Sequence, residues 1–167
     1  MPYFFTNARH FAWSLAFASA PALAIDAPVV HGVLVVGGQQ YALTHVQAVR
    51  SPHHPGRAWV VLATEEIAVK DAANPGRARA LARKELLHGV RIDVDSVKPD
   101  ATAVRGALLM APSGEIAFDM RGTRVWERLI TANRRIVGTL RLARPAQGDV
   151  PAWSIDVSFS APVYRSR

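Results

Sequence analysis

The sequence predicts a mainly β protein: an antiparallel β-sandwich or small closed barrel of about eight strands, with one helix inserted at about 76–88. Three observations predict it. Apolar and polar side chains alternate with a period of two through most of the chain beyond residue 25. Short turns rich in glycine and proline separate the alternating runs. One stretch alone switches to helical spacing.

The expected strands lie near 30–36, 41–49, 58–63, 89–95, 103–111, 115–121, 135–142 and 153–160. The last is the clearest. Trp153, Ile155, Val157 and Phe159 face one way, and Ser154, Asp156, Ser158 and Ser160 the other, so the first set belongs to a core and the second to water. Val90, Ile92 and Val94 alternate in the same way with Arg91, Asp93 and Asp95, as do Ile116, Phe118 and Met120 with Ala117, Asp119 and Arg121. Gly37-Gly38 reads as a tight hairpin turn between the first two strands. Pro112-Ser113-Gly114 reads as a second turn, between the fifth and sixth. Gly106 and Gly138 fall inside strands, where they suggest bulges or bends.

The helix is read from its ends. Asn74 suits its cap, Pro75 its first turn and Gly89 its stop. Ala78, Leu81, Ala82 and Leu86 recur at helical spacing, with Arg77, Arg83 and Lys84 on the polar side. Residues 123–133 stay open: Val125, Leu129 and Ile130 fit either a short helix or a strand. Hairpins formed by one continuous chain imply a sandwich or barrel, with the helix over an open edge or end.

The first 24 residues differ from the rest. They hold one charge, Arg9, an apolar run from Phe11 to Ala18, and Ala22-Leu23-Ala24 before Ile25. A charged start, a short apolar centre and an Ala-x-Ala end describe a secretory signal peptide. The run is shorter than the about 20 residues a membrane span needs. The expectation is a cleaved signal at 1–24 and a single β-rich domain at 25–167, in the periplasm or outside a bacterial cell, with no span after cleavage. The chain has no cysteine. It therefore has no disulfide, although export would permit one, and no lipid-bearing cysteine follows the signal.

Charge is concentrated. Arg121, Arg124, Arg128, Arg134, Arg135, Arg141 and Arg144 fall within one segment against a single acid, Glu127. A localised positive field attracts anions, which in an envelope compartment means lipid phosphate, polysaccharide or acidic protein; nucleic acid is disfavoured there. Trp126, between two of these arginines, would contact a headgroup or sugar if exposed, and would join the core if buried. The bland alternative for the arginines is a solvated strand face paired with neighbouring carboxylates.

Other chemistry has less behind it. His45, His53 and His54, with His31, are the residues a transition metal would use, but their spacing matches no compact zinc signature. There is no G-x-S-x-G elbow, so Ser113 reads as a turn residue. Glu65-Glu66 and Asp93/Asp95 are the carboxylate pairs open to a glycosidase, and the second pair lies on a face expected in solvent. No phosphate-binding glycine loop occurs. The reading that results is a non-enzymatic binding or accessory domain of the envelope, with the arginines contacting an anionic partner and no cofactor. The alternatives are an enzyme whose site is assembled from distant strands, and a histidine-based metal carrier.

Three stretches carry a resemblance. Gly32 to Gly37 precede Tyr41, Leu43, His45 and Ala48; Leu87, His88 and Gly89 open a later strand; Gly138 and Leu140 are followed by Phe159, Ala161 and Pro162. The chain resembles a family of small exported bacterial proteins of uncharacterised function, in which a G-x-L-x-V-x-G strand leads into a Y-x-L-x-H-x-x-A strand and the chain closes with F-x-A-P. The resemblance spans roughly residues 31–164. It implies a β-rich exported domain and brings no catalytic residues with it.

Overall fold

The computed structural model describes residues 27–51, 54–95, 102–122 and 125–165. The signal segment 1–24, His53 and Arg124 lie outside the described residues.

Ten strands and two short helices occur among the described residues: β1 (Val29–Val36), β2 (Gln39–Leu43), β3 (His45–Arg50), β4 (Arg57–Ala63), α1 (Val69–Ala72), α2 (Pro75–Arg83), β5 (Gly89–Asp95), β6 (Ala103–Leu109), β7 (Ile116–Arg121), β8 (Trp126–Ala132), β9 (Arg135–Arg144) and β10 (Trp153–Tyr164). They form two antiparallel layers, β2-β1-β10-β9-β8 and β3-β4-β5-β6-β7. Strand β10 is long enough to belong to both. Its last residues, Val163 and Tyr164, pair in parallel with Ala48 and Val49 of β3. The fold is therefore mainly β, a sandwich curled into an open half-barrel.

The period-two pattern builds the core. Trp153, Ile155, Val157 and Phe159 turn inward from β10 and meet Val60, Leu62, Val90, Ile92, Val94, Leu108 and Phe118 of the second layer. The Phe118 and Trp153 rings lie 4.9 Å apart. A slip of one residue would turn either set to solvent, so this burial fixes the register. At the β1–β2 turn both glycines take positive φ, 59° and 86°, the backbone that a two-residue hairpin requires.

Several local expectations change, and the open segment resolves. The single strand expected at 41–49 breaks at Thr44, whose N–H donates to the Ala63 carbonyl at 3.0 Å. There the chain leaves the first layer and enters the second. Gly106 and Gly138 carry no bulge, since the ladder runs in register through both. Their missing side chains make room for rings on the facing strands. A Cβ on Gly138 would stand 2.6 Å from the Phe159 ring and 3.0 Å from Trp126, and one on Gly106 would stand 2.8 Å from Phe118. The register shift falls instead at Trp126/Arg128. Residues 126–132 form a strand, because pairing with β9 satisfies backbone groups that a short exposed helix would leave at its ends.

The helix is also shorter than its sequence spacing suggests. Asn74 does cap α2, its side chain accepting from the Arg77 N–H at 3.3 Å. The stop comes at Glu85, not Gly89. Leu86 N–H donates to the Leu81 carbonyl (3.0 Å) and Glu85 N–H to the Ala82 carbonyl (3.1 Å), the bond pair of a left-handed helix stop. Gly89 instead opens β5, opposite Ala63 and Leu109. The helices lie over the outer face of the second layer, where Ala78, Ala82 and Leu87 join Val49, Trp59, Val61 and Leu109 in a second cluster. No helix among the described residues is long and apolar enough to cross a membrane.

Glu85 has φ 58°, at the position of this stop where glycine is favoured. Glu85→Gly is expected to raise stability by about 1 kcal/mol, the order of the steric cost of a side chain in that region. A shift of the urea midpoint to higher concentration with an unchanged slope checks it.

Candidate functional site

Among the described residues, the arginines of the basic segment divide between the two layers. Arg128, Arg135 and Arg141 share the outer face of the first layer on β8 and β9. Arg134 sits in the turn between those strands with φ 58°, and Arg144 lies at the far end of β9, donating to Gln147 Oε1 at 2.9 Å. Arg121 ends β7 in the other layer. Several are already engaged. Arg141 bonds Asp156 at 2.8 Å and lies 3.9 Å from Glu127. Arg135 donates to the Ser160 hydroxyl at 2.9 Å. Trp126 is buried in the core, edge-on to Phe159 at 6.3 Å, so it is no exposed platform.

The histidines do not converge either. His45 opens β3 and sits by Thr44, its Nδ1 2.9 Å from the threonine hydroxyl and 3.1 Å from the Thr64 carbonyl. His54 lies beyond the other end of that strand, roughly 20 Å away by strand rise. His31 is on β1, facing outward opposite Ser158. No group of three or more His, Cys, Asp or Glu residues among the described ones is placed to hold a metal ion. His45 and His54 are thus not brought together, and His53 lies outside the described residues.

What does assemble is a cleft of about 270 Å³ at one end of the second layer, lined by Arg57, Asp93, Asp95, Thr102, Arg105, Arg121, Trp126 and Leu129 among others. Strand register makes it. Arg57 stands opposite Asp95, Asp93 opposite Arg105, Arg105 opposite Asp119, and Ala103 opposite Arg121. Acids and bases thus alternate across four strands on the same outer face, an arrangement that favours pairing. Arg105 bonds Asp119 at 2.9 Å, and Arg121 lies 3.9 Å from the same residue.

Asp93 departs from its sequence expectation. Alternation placed Arg91, Asp93 and Asp95 in water. Only Asp95 is exposed; Arg91 and Asp93 are partly covered, because α2 crosses this face. Arg79 of α2 bonds Glu115 at 2.8 Å, and Glu115 in turn holds Arg91 at 2.9 Å. Arg91 lies over the Trp59 ring at 5.8 Å and reaches Asp93 only at 3.6 Å. Arg91 Nε and Nη1 and Asp93 Oδ1 are buried without a hydrogen-bond partner among the described residues. Burial pushes the Asp93 carboxyl above the usual aspartate range, despite the opposing pull of Arg91 and Arg57.

Of the cleft's residues, the sequence had singled out Arg121, Trp126, Asp93 and Asp95, but for separate roles. Arg57 and Arg105 gave no signal, because each is one charge in a region that is neutral overall; only register shows that they share a face. Glu65 and His88 form another polar pair. The His88 backbone N–H and ring Nδ1 meet the two Glu65 oxygens at 2.8 and 2.9 Å, and Tyr41 stacks on the imidazole at 5.4 Å. In comparisons with protein-family models, curated proteins and solved structures, nothing matched the chain.

Proposed function

We propose that this chain is an exported envelope domain that binds an anionic group, carboxylate or phosphate, in the cleft lined by Arg57, Arg105 and Arg121. The observation that carries this reading is that these three side chains, from β4, β6 and β7, are brought by strand register to line one cleft. Guanidinium groups suit carboxylate and phosphate because their paired donors match two acceptor oxygens. The filled interior supports a surface site: the space between the layers is occupied by Trp153, Ile155, Val157, Phe159 and their partners. Export rests on the sequence of residues 1–24, and a non-enzymatic role on the absence of any recognisable catalytic constellation in the sequence.

Binding of inorganic phosphate, of acidic polysaccharide and of phosphatidylglycerol vesicles by the mature chain tests this reading. Retention is expected to fall with added salt. Arg105→Gln and Arg57→Gln are each expected to weaken binding about tenfold, a loss of one charge-assisted contact. The paired change Arg128→Gln with Arg141→Gln, on the other layer, is expected to leave it unchanged. Loss of binding in that pair with none in the cleft variants would return the role to the basic segment.

A further inference from the structure

A second cleft lies at the other end of the same strands. It measures about 260 Å³ and is lined by Gln39, Tyr41, Glu85, His88, Met110 and Ala111. His88 immediately precedes β5, and Asp95 ends it. The two clefts are therefore roughly 20 Å apart by strand rise.

Among the described residues, its lining carries one carboxylate and no lysine or arginine. Glu65 is ionised: burial works to raise its pKa, but hydrogen bonds from Thr64 and from the His88 ring and backbone outweigh this and hold it below the usual glutamate range. A carboxylate only accepts, so the proton of the Glu65 contact sits on His88 Nδ1. Tyr41 stacked against the ring holds its plane. Gln39, Tyr41 and Glu85 contribute an amide, a hydroxyl and a carboxylate to the same cleft, and none of these side chains bonds another described residue.

Glu85 supplies the independent observation. It carries a side chain where the helix stop favours glycine, in a left-handed backbone conformation. Strain of this kind, kept beside a cleft, is a recognised mark of a functional position. The side chain it retains is the cleft's only carboxylate lining group among the described residues.

We propose that this cleft binds an alkylammonium group, held by the Glu85 carboxylate and the Gln39 amide oxygen beside the Tyr41 ring. An ammonium carries three donors and one positive charge, the complement of this acceptor set. The aromatic wall adds attraction to a cation within reach of its face. The site is independent of the anion cleft: it shares no lining residue with it and has the opposite charge preference.

Two sources of that group exist, a free aliphatic amine and a lysine side chain of a polypeptide. The test is NMR titration of the full mature chain, following the His88 and Tyr41 ring resonances, with putrescine in one arm and an end-capped lysine-containing peptide in the other. Saturable movement of both rings below about 1 mM in either arm supports the proposal, and the arm that binds more tightly names the source. Glu85→Gln, an exposed and nearly isosteric change, is expected to weaken binding about tenfold. Glu85→Gly is expected to do the same while raising stability, which separates lost contact from lost fold. No saturable movement up to about 10 mM in both arms overturns the proposal. So does unchanged affinity in Glu85→Gln. Neither result bears on phosphate binding at the other cleft.

Discussion

Phe159→Ala is expected to destabilise the protein by about 3–5 kcal/mol, the usual cost of removing a buried aromatic ring. That is a large share of the about 5–15 kcal/mol that holds a domain of this kind folded. The ring lies between the layers at 3% exposure. It rests on Gly138 of the neighbouring strand and meets the Trp126 ring edge-on at 6.3 Å. Gly138 has no side chain to fill the gap, and β9 is held in register on both sides by β8 and β10, so the site cannot collapse and most of the cavity would remain. Urea unfolding with an unchanged slope measures the loss. A cost under about 1 kcal/mol would mean the ring is not packed between two sheets.

Glu115→Ala is expected to cost a similar amount, by a different route. Glu115 holds Arg91 at 2.9 Å and Arg79 at 2.8 Å. Arg91 is 12% exposed and already has two guanidinium nitrogens without partners among the described residues. Removing the carboxylate leaves it facing Asp93 at 3.6 Å, whose own charge burial disfavours. Breaking a buried pair from one side costs about 3–5 kcal/mol, because the remaining charge stays desolvated. Arg79 is 48% exposed, so Arg79→Ala is expected to cost under about 1 kcal/mol. The contrast between the two thermal melts is the check. Equal, small losses would show that Arg91 is solvated and that α2 does not seal this face.

Much of the fold was legible because alternation and turn chemistry are local. Trp153 to Phe159, Val90 to Val94 and the Gly37-Gly38 turn each declare themselves within a few residues. What failed depended on partners distant in sequence. Gly138 looked like a bulge because nothing near it in the chain shows that Phe159 will lie over it. Leu86 seemed to extend the helix face and Gly89 to end it. The stop in fact falls at Glu85, where backbone bonding overrode residue preference. Residues 126–132 became a strand only because β9 offered an edge.

The site was less legible for the same reason. The run of arginines at 121–144 was conspicuous in one dimension, but period two sends neighbours to opposite faces and the β8–β9 turn separates the rest. Arg57 and Arg105 lie 48 positions apart and meet only through the β4-β5-β6 register. His88 and Glu65 belong to the same class: a loop carboxylate and the residue before a strand, joined by a fold that neither announces.

The most direct test of the anion cleft is a phosphate titration followed by NMR through the arginine side chains and the tryptophan indoles. Saturable shifts are expected at Arg57, Arg105, Arg121 and the Trp126 indole, with Arg128, Arg135 and Arg141 unmoved. Shifts confined to the β8–β9 arginines, or none that saturate, would contradict anion binding in this cleft.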